Sequence, residues 1–251
     1  MPEKIEIQTE EWLDLLLQNE REDIYLYKSL LNVSSEPVLE LFSNTGRITL
    51  ELLKENIKVE CLETNDKFIS IASDKLERNG LKTKFYNYPI KDLNTLNTFN
   101  TIFSAGGSFL LVEDYEEALK SLKKIYSLLN NGGLFIVDIF IPWKQIIANQ
   151  QNLWKIGRIA EDNVKSEKMI VYYSENFDLK NQVRILDSKY ELYKNDRFVT
   201  AQFATSRIKW FSVNEFSLML EKVGFSKIET RNVNIFSNQG ESTLYIANKL
   251  E

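Results

Sequence analysis

Two carboxylates and a short polar turn form the pattern with the clearest chemical use in this chain. Glu40 and Glu63 each stand at the end of an apolar run, and a small polar turn over residues 43–46 follows Glu40 before a helical pattern begins. Residues placed in this way at the edge of a parallel sheet bind nucleotide-like cofactors. The glycine-rich fingerprint of dinucleotide-binding proteins does not fit, because only Gly46 remains of its glycines. The pattern predicts a cofactor site that depends on its surroundings.

Strands that alternate with helices position these residues. Helical periodicity predicts two short helices within residues 9–31, and apolar runs predict strands over residues 38–42, 58–62, 83–88, 99–105 and 134–140. Asn44 or Thr45 is expected to cap the helix after the first strand, and Asn65 the helix after the second. Residues 131–133 are expected to form a turn. The alternation predicts a parallel sheet with right-handed crossovers and a ligand at its carboxyl edge.

The pattern changes after Pro142. Residues 144–153 are typical of a helix, and three runs rich in Val, Ile, Tyr and Phe follow over residues 169–177, 183–193 and 198–211. Short polar segments join these runs, so they predict an antiparallel meander inserted into the α/β unit. Ser212 is expected to cap a last helix that ends at Gly224, and two closing strands are predicted over residues 225–234 and 242–247.

The composition excludes several classes of function. The 251 residues are 43% hydrophobic and 27% charged, which is typical of a globular protein with one large core or two modest ones. Because the chain has no histidine, we expect neither a His-ligated metal nor His-based acid–base catalysis. The net charge of -5 argues against a nucleic-acid partner and is compatible with a neutral or cationic substrate.

The location of the protein is predicted from three features of the sequence. Cys61 is the single cysteine, so no intrachain disulfide can form, which is typical of a reducing compartment. The acidic N-terminal segment lacks the apolar core of a signal peptide. No run approaches the roughly 18 apolar residues of a membrane helix. These features predict a cytoplasmic protein without a membrane partner.

Several segments of the chain together resemble one enzyme family. The segments are VLELFSNTGR, VECLETNDKFISIASDKL and FNTIFSAGGSFLLVEDYEEALKSLKKIYSLLNNGGLFIVDIF, with REDIYLYKSLL upstream and FSVNEFSLMLEKVGFSKIE and ESTLYIANK downstream. In this order they resemble class I S-adenosylmethionine-dependent methyltransferases. The upstream segment is similar to the lid of the small-molecule enzymes, whose tyrosine reaches over the cofactor. The meander and the tail are similar to those of sugar-amine and natural-product N-methyltransferases. The resemblance covers nearly the whole chain.

This resemblance implies a fold and a division into parts. The expected fold is an α/β, Rossmann-like, seven-stranded and mostly parallel sheet of order 3-2-1-4-5-7-6, with an antiparallel β-meander inserted between strands 5 and 6. An N-terminal helical lid is expected over residues 1–35. The S-adenosylmethionine-binding domain would comprise residues 36–142 and 210–251, and residues 143–209 would form the insertion on the substrate side.

The resemblance also implies residues that bind the cofactor. Glu63 would accept both ribose hydroxyls, in a charge-assisted arrangement that fixes the sugar. For Glu40 two roles stay open, namely contact with the amino group of the cofactor and ordering of the turn. The residues expected to contact S-adenosylmethionine are Tyr27, Glu40, Phe42, Ser43, Asn44, Gly46, Arg47, Glu63, Thr64, Phe68, Pro89, Ile90, Ser104, Ala105 and Gly106.

The implied reaction is transfer of the methyl group of S-adenosylmethionine to a nitrogen, with an oxygen as second choice, by in-line displacement. S-adenosylhomocysteine would be the product, and the acceptor would be a small molecule or a short peptide. Without histidine, a proton acceptor must be a carboxylate, a tyrosine or water. The side-chain candidates are Tyr25, Tyr27, Glu113 and Glu191. The residues expected to contact the substrate are Trp143, Tyr172, Tyr190 and Arg207.

Departures from the family pattern leave other functions open. Phe42 and Asn44 replace two turn glycines, and Pro89 replaces the acidic residue that often lies near the adenine. The chain could therefore be a non-catalytic cofactor-binding module or partner subunit. Methylation of RNA is disfavoured by the acidic net charge, and a dinucleotide-dependent oxidoreductase by the missing glycine fingerprint. Oligomeric state, mono- or dimethylation and the identity of the acceptor are left open by the sequence.

Overall fold

The structure is a computed structural model that describes residues 6–148, 151–235 and 241–250. Two compact units make up the chain. The smaller unit comprises the chain up to Asn19 together with Pro142–Lys209, and the larger unit comprises Glu20–Ile141 and the chain from Trp210 onward. Residues 20–35 therefore group with the larger unit and the residues before them with the insertion. The roles predicted for the lid, the cofactor domain and the insertion stay predictions.

Helices and strands alternate through most of the larger unit. The α-helices of the described residues are α1 (Thr9–Leu16), α2 (Glu22–Leu30), α3 (Arg47–Lys54), α4 (Asp66–Arg78), α5 (Tyr115–Leu128), α6 (Trp143–Ala148) and α7 (Val213–Val223). The strands are β1 (Val38–Leu41), β2 (Val59–Leu62), β3 (Phe85–Tyr86), β4 (Phe99–Ser104), β5 (Leu129–Phe140), β6 (Lys155–Asp162), β7 (Glu167–Asp178), β8 (Val183–Lys194), β9 (Arg197–Lys209), β10 (Phe225–Asn234) and β11 (Glu241–Lys249).

The larger unit contains a seven-stranded sheet of order β3-β2-β1-β4-β5-β11-β10. Strands β3 to β5 in this order pair in parallel, and β11 runs antiparallel to both β5 and β10. Every residue of β1 is buried, because helices cover both faces of a parallel sheet. The predicted fold class is confirmed, and the predicted strand order is confirmed when β10 and β11 are counted as strands 6 and 7.

The core of the larger unit joins the helix before the sheet to the central strands. Ile24, Tyr27 and Leu31 of the α2 region pack with Val38 of β1 and Phe103 of β4, among other buried residues. Cys61 on β2 is completely buried and has no disulfide partner. None of the helices in the part of the chain that the structure describes is long and apolar enough to cross a membrane.

The smaller unit contains a four-stranded antiparallel sheet of order β6-β7-β8-β9. The sequence predicted three of these strands and missed β6, because charged residues interrupt its apolar positions and most of its side chains are exposed. Helix α1 packs against this sheet through Trp12, which joins Met169 and Val171 in a buried cluster. The predicted helix over residues 144–153 begins at Trp143 and is described as far as Ala148; residues 149 and 150 lie outside those described, and residues 151–153 are not helical, so its predicted end was wrong.

Three local predictions in the larger unit were wrong. The third strand has only two residues, since its flanking residues leave the sheet. Residues 131–133 lie inside β5 as an irregularity that shifts its pairing with β4 between Phe99 and Thr101, so they do not form a separate turn. Neither Asn44 nor Thr45 caps α3, because the N-cap position is occupied by Gly46. The caps predicted at Asn65 and Ser212 are confirmed.

Candidate functional site

The turn after β1 has the left-handed backbone that glycine favours, although only one of its left-handed residues is a glycine. Phe42, Asn44 and Gly46 have φ values of 55°, 49° and 69°, all in the left-handed region. This region costs a residue with a side chain about 1–2 kcal/mol, although Asn tolerates it better. The Asn44 side-chain amide donates to the Phe42 carbonyl at 2.7 Å, and the Gly46 N–H donates to the Ser43 carbonyl at 2.8 Å. These hydrogen bonds stabilise the left-handed backbone of the turn, although Phe42 and Asn44 stand in place of glycines.

The carboxylate of Glu63 connects this turn to the end of β2. One oxygen accepts the Asn44 N–H at 2.9 Å, and the other accepts the N–H groups of Thr64 at 2.8 Å and Asn65 at 2.9 Å. The structure therefore brings Asn44, Glu63 and Thr64 together, and their predicted contacts with the cofactor stay predictions. Asn65 caps α4 by accepting the Phe68 N–H at 3.4 Å, which places Phe68 in the first turn of that helix. The ribose contact of Glu63 stays a prediction.

Glu40 lies below the turn in a fully buried position. The Thr49 hydroxyl of α3 donates to its carboxyl group and lies 3.2 Å from the Cys61 sulfur. Burial raises the pKa of Glu40 to about 8, so its side chain holds a proton at neutral pH. The contact from Thr49 connects β1 to α3, which supports the turn-ordering role for Glu40. Its alternative role, at the amino group of the cofactor, stays a prediction.

Arg47 connects the turn to α2. Its guanidinium group forms an ion pair with Asp23, with Nη1 and Oδ2 at 2.9 Å, and donates to the Glu20 carbonyl at 2.5 Å. Both side chains of the pair are largely buried, so the interaction is only weakly screened by solvent. The predicted contact of Arg47 with the cofactor stays a prediction, and in this structure its charge is held by the helix before the sheet.

A second glycine-type loop follows β4. Gly106 and Gly107 both have left-handed φ values, of 66° and 70°, and a Cβ on Gly107 would lie 2.8 Å from the Phe140 ring. Their N–H groups donate to the two oxygens of Asp138, each at 2.8 Å. Asp138 lies on β5 and is completely buried. Sequence reasoning missed this residue, although an acidic residue within the apolar strand IVDIF was a signal that could have identified it.

Tyr27 joins the same cluster from α2. Its hydroxyl lies 2.8 Å from both the Ser104 carbonyl oxygen and Asp138 Oδ1, and can donate its single proton to either. Burial raises the pKa of Tyr27 well above its usual range, and burial also raises the pKa of Asp138 to about 6. Tyr27 therefore keeps its proton near neutral pH. This is unfavourable for the proton-accepting role that the sequence suggested for it.

Ser104 and its neighbours complete the carboxyl edge of β4. The Ser104 side chain is completely buried, and its hydroxyl has no hydrogen-bond partner among the described residues. A buried polar group without a partner is uncommon in folded proteins and indicates an additional ligand or water. Ala105 packs against the central core. Pro89 lies shortly after β3, the edge strand of the sheet, and precedes a short 3-10 turn that begins at the buried Ile90. The predicted contact of Pro89 and Ile90 with the adenine stays a prediction.

The remaining catalytic candidates are dispersed. Tyr25 of α2 is 61% exposed, with the Arg21 guanidinium 5.8 Å from the centre of its ring. Glu113 is exposed. Glu191 belongs to the smaller unit, where it pairs with Lys189 at 2.5 Å and accepts from the Tyr193 hydroxyl at 2.9 Å. The hydrogen bond from Lys189 lowers the pKa of Glu191, which makes it a weak proton acceptor.

The predicted substrate residues all lie in the smaller unit. Tyr172 pairs with Lys189 across β7 and β8, whereas Tyr190 pairs with Val171, so the two tyrosines point to opposite faces of the sheet. Tyr190 packs on the buried cluster around Trp12. These two residues therefore cannot line one pocket within this sheet. Arg207 is exposed on the face of Tyr172, and Trp143 on α6 is more than half exposed.

Comparison with known proteins identifies the domain that contains both turns. Residues 38–133 match the family described as "Methyltransferase domain". A protein of Geobacillus sp. (strain WCH70), named provisionally as a methyltransferase, is 23% identical over 195 residues, which cover 76% of this chain and 74% of the relative. The segment that matches the methyltransferase family, residues 38–133, runs from the first residue of β1 into the irregular part of β5. It therefore includes Glu40, Glu63 and the loop after β4.

Solved structures extend the likeness over almost the whole chain. An S-adenosylmethionine-dependent methyltransferase from Clostridium acetobutylicum has a TM-score of 0.74 at 17% identity, covering 97% of this chain and 98% of the other. CalS10 of Micromonospora echinaspora, described as an amino pentose methyltransferase, was solved with S-adenosylmethionine bound and has a TM-score of 0.71 at 12% identity, covering 99% and 100%. This chain thus has the fold of S-adenosylmethionine-dependent methyltransferases.

Proposed function

We propose that the chain is a class I S-adenosylmethionine-dependent methyltransferase that methylates a nitrogen of a small molecule or short peptide, which its methyltransferase domain and its fold support. One observation supports the cofactor end of this proposal above all. The Glu63 carboxylate, at the end of β2, meets the backbone of a turn whose Phe42, Asn44 and Gly46 are all left-handed. This arrangement supports the proposal, because a carboxylate that could accept ribose hydroxyls lies beside a turn whose backbone a ligand could approach closely.

The residues present fit S-adenosylmethionine. Gly46 lies where a Cβ would be 3.2 Å from Ala72, so the turn is compact and offers backbone groups to a ligand. The partnerless Ser104 hydroxyl lies at the end of β4, next to β1 on the same carboxyl edge. When bound, the cofactor supplies a methyl group already activated on a sulfonium sulfur. Glu63, the turn after β1 and the end of β4 would hold it.

The chain's contribution to the reaction is chiefly alignment. An acceptor held in line with the methyl group gains up to about 7–11 kcal/mol relative to free encounter, if the geometry is correct. The fixed backbone of the two turns suits such a role, because both are anchored by carboxylates from neighbouring strands. Excluding water from the site strengthens each polar contact further.

An amine acceptor suits the protonation states of the site. A neutral amine attacks without a strong base, and its proton can leave to solvent afterwards. The chain has no histidine, and Tyr27 and Glu40 both hold their protons at neutral pH. An alcohol acceptor would require a base of a kind that these buried groups do not supply. The description of CalS10 as an amino pentose methyltransferase supports the same choice, since that structure covers the whole length of this chain.

Calorimetry followed by mass spectrometry tests this proposal. S-adenosylhomocysteine should bind the full chain with a dissociation constant well below millimolar, and a panel of amino sugars and short peptides should yield a product heavier by one methyl group. Matching O-only acceptors serve as the control panel. Absence of binding at millimolar ligand would overturn the cofactor assignment. Binding with transfer only to the oxygen panel would overturn the choice of nitrogen.

A further inference from the structure

The carboxylate of Asp138 is a buried charge that the proposed reaction leaves without a role. Asp138 stands in the last third of β5, opposite Leu244 of β11, and is 1% exposed. Placing an ionised carboxylate in the protein interior is strongly unfavourable unless hydrogen bonds or a cation compensate. Among the described residues, no lysine or arginine forms an ion pair with it. Its compensation must therefore come from hydrogen-bond donors.

Three donors surround this carboxylate, one from α2 and two from the loop after β4. The Gly106 N–H and the Tyr27 hydroxyl lie 2.8 Å from Oδ1, and the Gly107 N–H lies 2.8 Å from Oδ2. Two neighbouring N–H groups of this turn thus converge on one carboxylate, as neighbouring N–H groups do in the anion-binding concavities of turns. The carboxylate thus substitutes for a bound anion inside the fold.

This arrangement fixes the backbone at the carboxyl end of β4. The Ser104 carbonyl is within hydrogen-bond distance of the Tyr27 hydroxyl, and Gly106 and Gly107 are held directly by Asp138. The loop cannot shift without breaking contacts to a buried charge. Ser104, the last residue of β4, directly precedes this loop and has a buried hydroxyl without a hydrogen-bond partner among the described residues.

We propose that Asp138 is a positioning residue for methyl transfer. Its carboxylate holds the backbone of Gly106 and Gly107 and the hydroxyl of Tyr27, so that the end of β4 presents a fixed surface to the cofactor. The proposal rests on the proposed function, because it assumes that the loop after β4 borders S-adenosylmethionine. Asp138 acts through the loop and does not touch the reacting atoms.

The titration of Asp138 supplies a readout for this role. Burial raises its pKa to about 6, against the lowering effect of hydrogen bonds from Tyr27 and the two glycines. Asp23 on α2 raises it further and is itself paired with Arg47 of α3. Glu40 on β1 holds its proton below about pH 8, so its charge is constant at lower pH. Below about pH 6 Asp138 gains a proton, and the loop loses an ionic acceptor.

The test measures binding of S-adenosylhomocysteine by calorimetry between about pH 5 and pH 7. A single group with a pKa near 6 predicts that the affinity of the unmodified chain falls about tenfold across this range. Asp138→Asn keeps the size of the side chain but aims an amide at a glycine N–H. This variant should bind at least about tenfold more weakly at pH 7 and show no pH dependence from this position, since a hydrogen bond to a charged group is lost and no titrating carboxyl remains there.

A pair of tyrosine variants keeps the proposal testable if Asp138→Asn does not fold. Tyr27→Phe removes a hydrogen bond that favours the ionised carboxylate, so the midpoint of the affinity change should move to higher pH. Tyr245→Phe is the control, because it removes another buried hydroxyl, which donates to the Val213 carbonyl at 2.9 Å, and should leave the midpoint unchanged.

Each outcome decides the proposal. A folded Asp138→Asn chain with the original affinity and pH profile would overturn it, as would an unmoved midpoint in Tyr27→Phe. If the unmodified chain binds S-adenosylhomocysteine and the variants bind it with the same affinity and pH profile, only this inference fails. If the unmodified chain binds none, the proposed function fails and the inference fails with it.

Discussion

The turn after β1 and the loop after β4 are stabilised in the same way by different residues, since in each a carboxylate accepts backbone N–H groups of left-handed residues. Each lies at the carboxyl edge of the sheet, each has left-handed backbone, and each is held by a carboxylate from a neighbouring strand. Glu63, directly after β2, accepts the Asn44 N–H, whereas Asp138 of β5 accepts those of Gly106 and Gly107. Only the second loop has glycine at the positions that these carboxylates hold.

The space beside the backbone explains this difference. Phe42 and Asn44 are half-buried, so their side chains have room even though their φ values are left-handed. A Cβ on Gly107 would meet the Phe140 ring at 2.8 Å. The comparison teaches that a missing glycine does not mean a lost turn. The turn persists where hydrogen bonds hold its backbone and the side chain can point away.

Replacing Glu63 should have the largest effect and tests whether the first turn is part of a ligand site at all. Glu63→Ala should weaken S-adenosylhomocysteine binding by at least about 100-fold, because two hydrogen bonds to a charged group contribute about 1.5–3 kcal/mol each. Glu60→Ala, on the same strand, is the matched control, since Glu60 accepts from the Tyr86 hydroxyl at 2.6 Å instead. Calorimetry compares the two variants. Original affinity in Glu63→Ala would refute the ribose assignment.

A pair of glycine variants tests the role of space in the second loop. Gly107→Ala should lower the free energy of unfolding by about 2–4 kcal/mol, because left-handed strain adds to overpacking against Phe140. Gly80→Ala should cost only about 1 kcal/mol, since Gly80 is equally left-handed but has open space around its Cβ. Urea unfolding measures both. Equal losses would show that the Phe140 contact does not restrict the loop.

The buried carboxyls below the two turns should titrate in different ranges. Glu40 has a pKa of about 8, against an ordinary value of 4.5, so between these values the folded chain holds a proton that the unfolded chain has released. The free energy of unfolding should therefore fall as pH rises through this window and level off above about pH 8.

Glu40→Gln should remove most of that fall, which these two pKa values put at about 4 kcal/mol between about pH 5 and pH 8.5. Urea unfolding at the two pH values measures it. Asp138 has a pKa of about 6 and titrates in the lower part of this range. It is present in both the unmodified chain and Glu40→Gln, so its contribution cancels when their pH dependences are compared. An unchanged pH dependence in Glu40→Gln would assign the titration to another group.

Replacing Asn44 should have the smallest effect and sharpens the comparison directly. Asn44→Gly relieves left-handed strain and keeps the N–H that donates to Glu63, but it loses the amide bond to the Phe42 carbonyl. These terms oppose each other, so unfolding free energy should change by less than about 1 kcal/mol. Asn44→Ala, with neither benefit, should be less stable than Asn44→Gly by about 1 kcal/mol. The reverse order would contradict the account of the turn.

Most of the fold was predictable because its signals are local and repeated. Strands β1, β2, β4 and β5 are apolar runs followed by helices with clear periodicity, and right-handed crossovers then restrict their order. Strand β6 was missed because its side chains are mostly exposed and charged. The two-residue β3 was overestimated, since β-propensity does not report where pairing ends.

The site was predictable only in part. Glu63 and the turn were identified because strand ends mark the ligand edge of an α/β sheet. The partners of Tyr27 could not be predicted, because its contacts with Ser104 and Asp138 span 77 and 111 residues of sequence. The opposite directions of Tyr172 and Tyr190 depend on strand register, which alternates with every residue.

Chemical labelling of the single cysteine can report when the strands around β2 separate. Cys61 lies on β2 without exposure, and burial raises the pKa of its thiol, so maleimide-type reagents cannot reach a thiolate in the folded state. Modification therefore requires the strands around β2 to separate. A cysteine introduced at an exposed position such as Tyr25 would react selectively with a fluorophore, while slow labelling of Cys61 would record the opening rate of the sheet that carries Glu63.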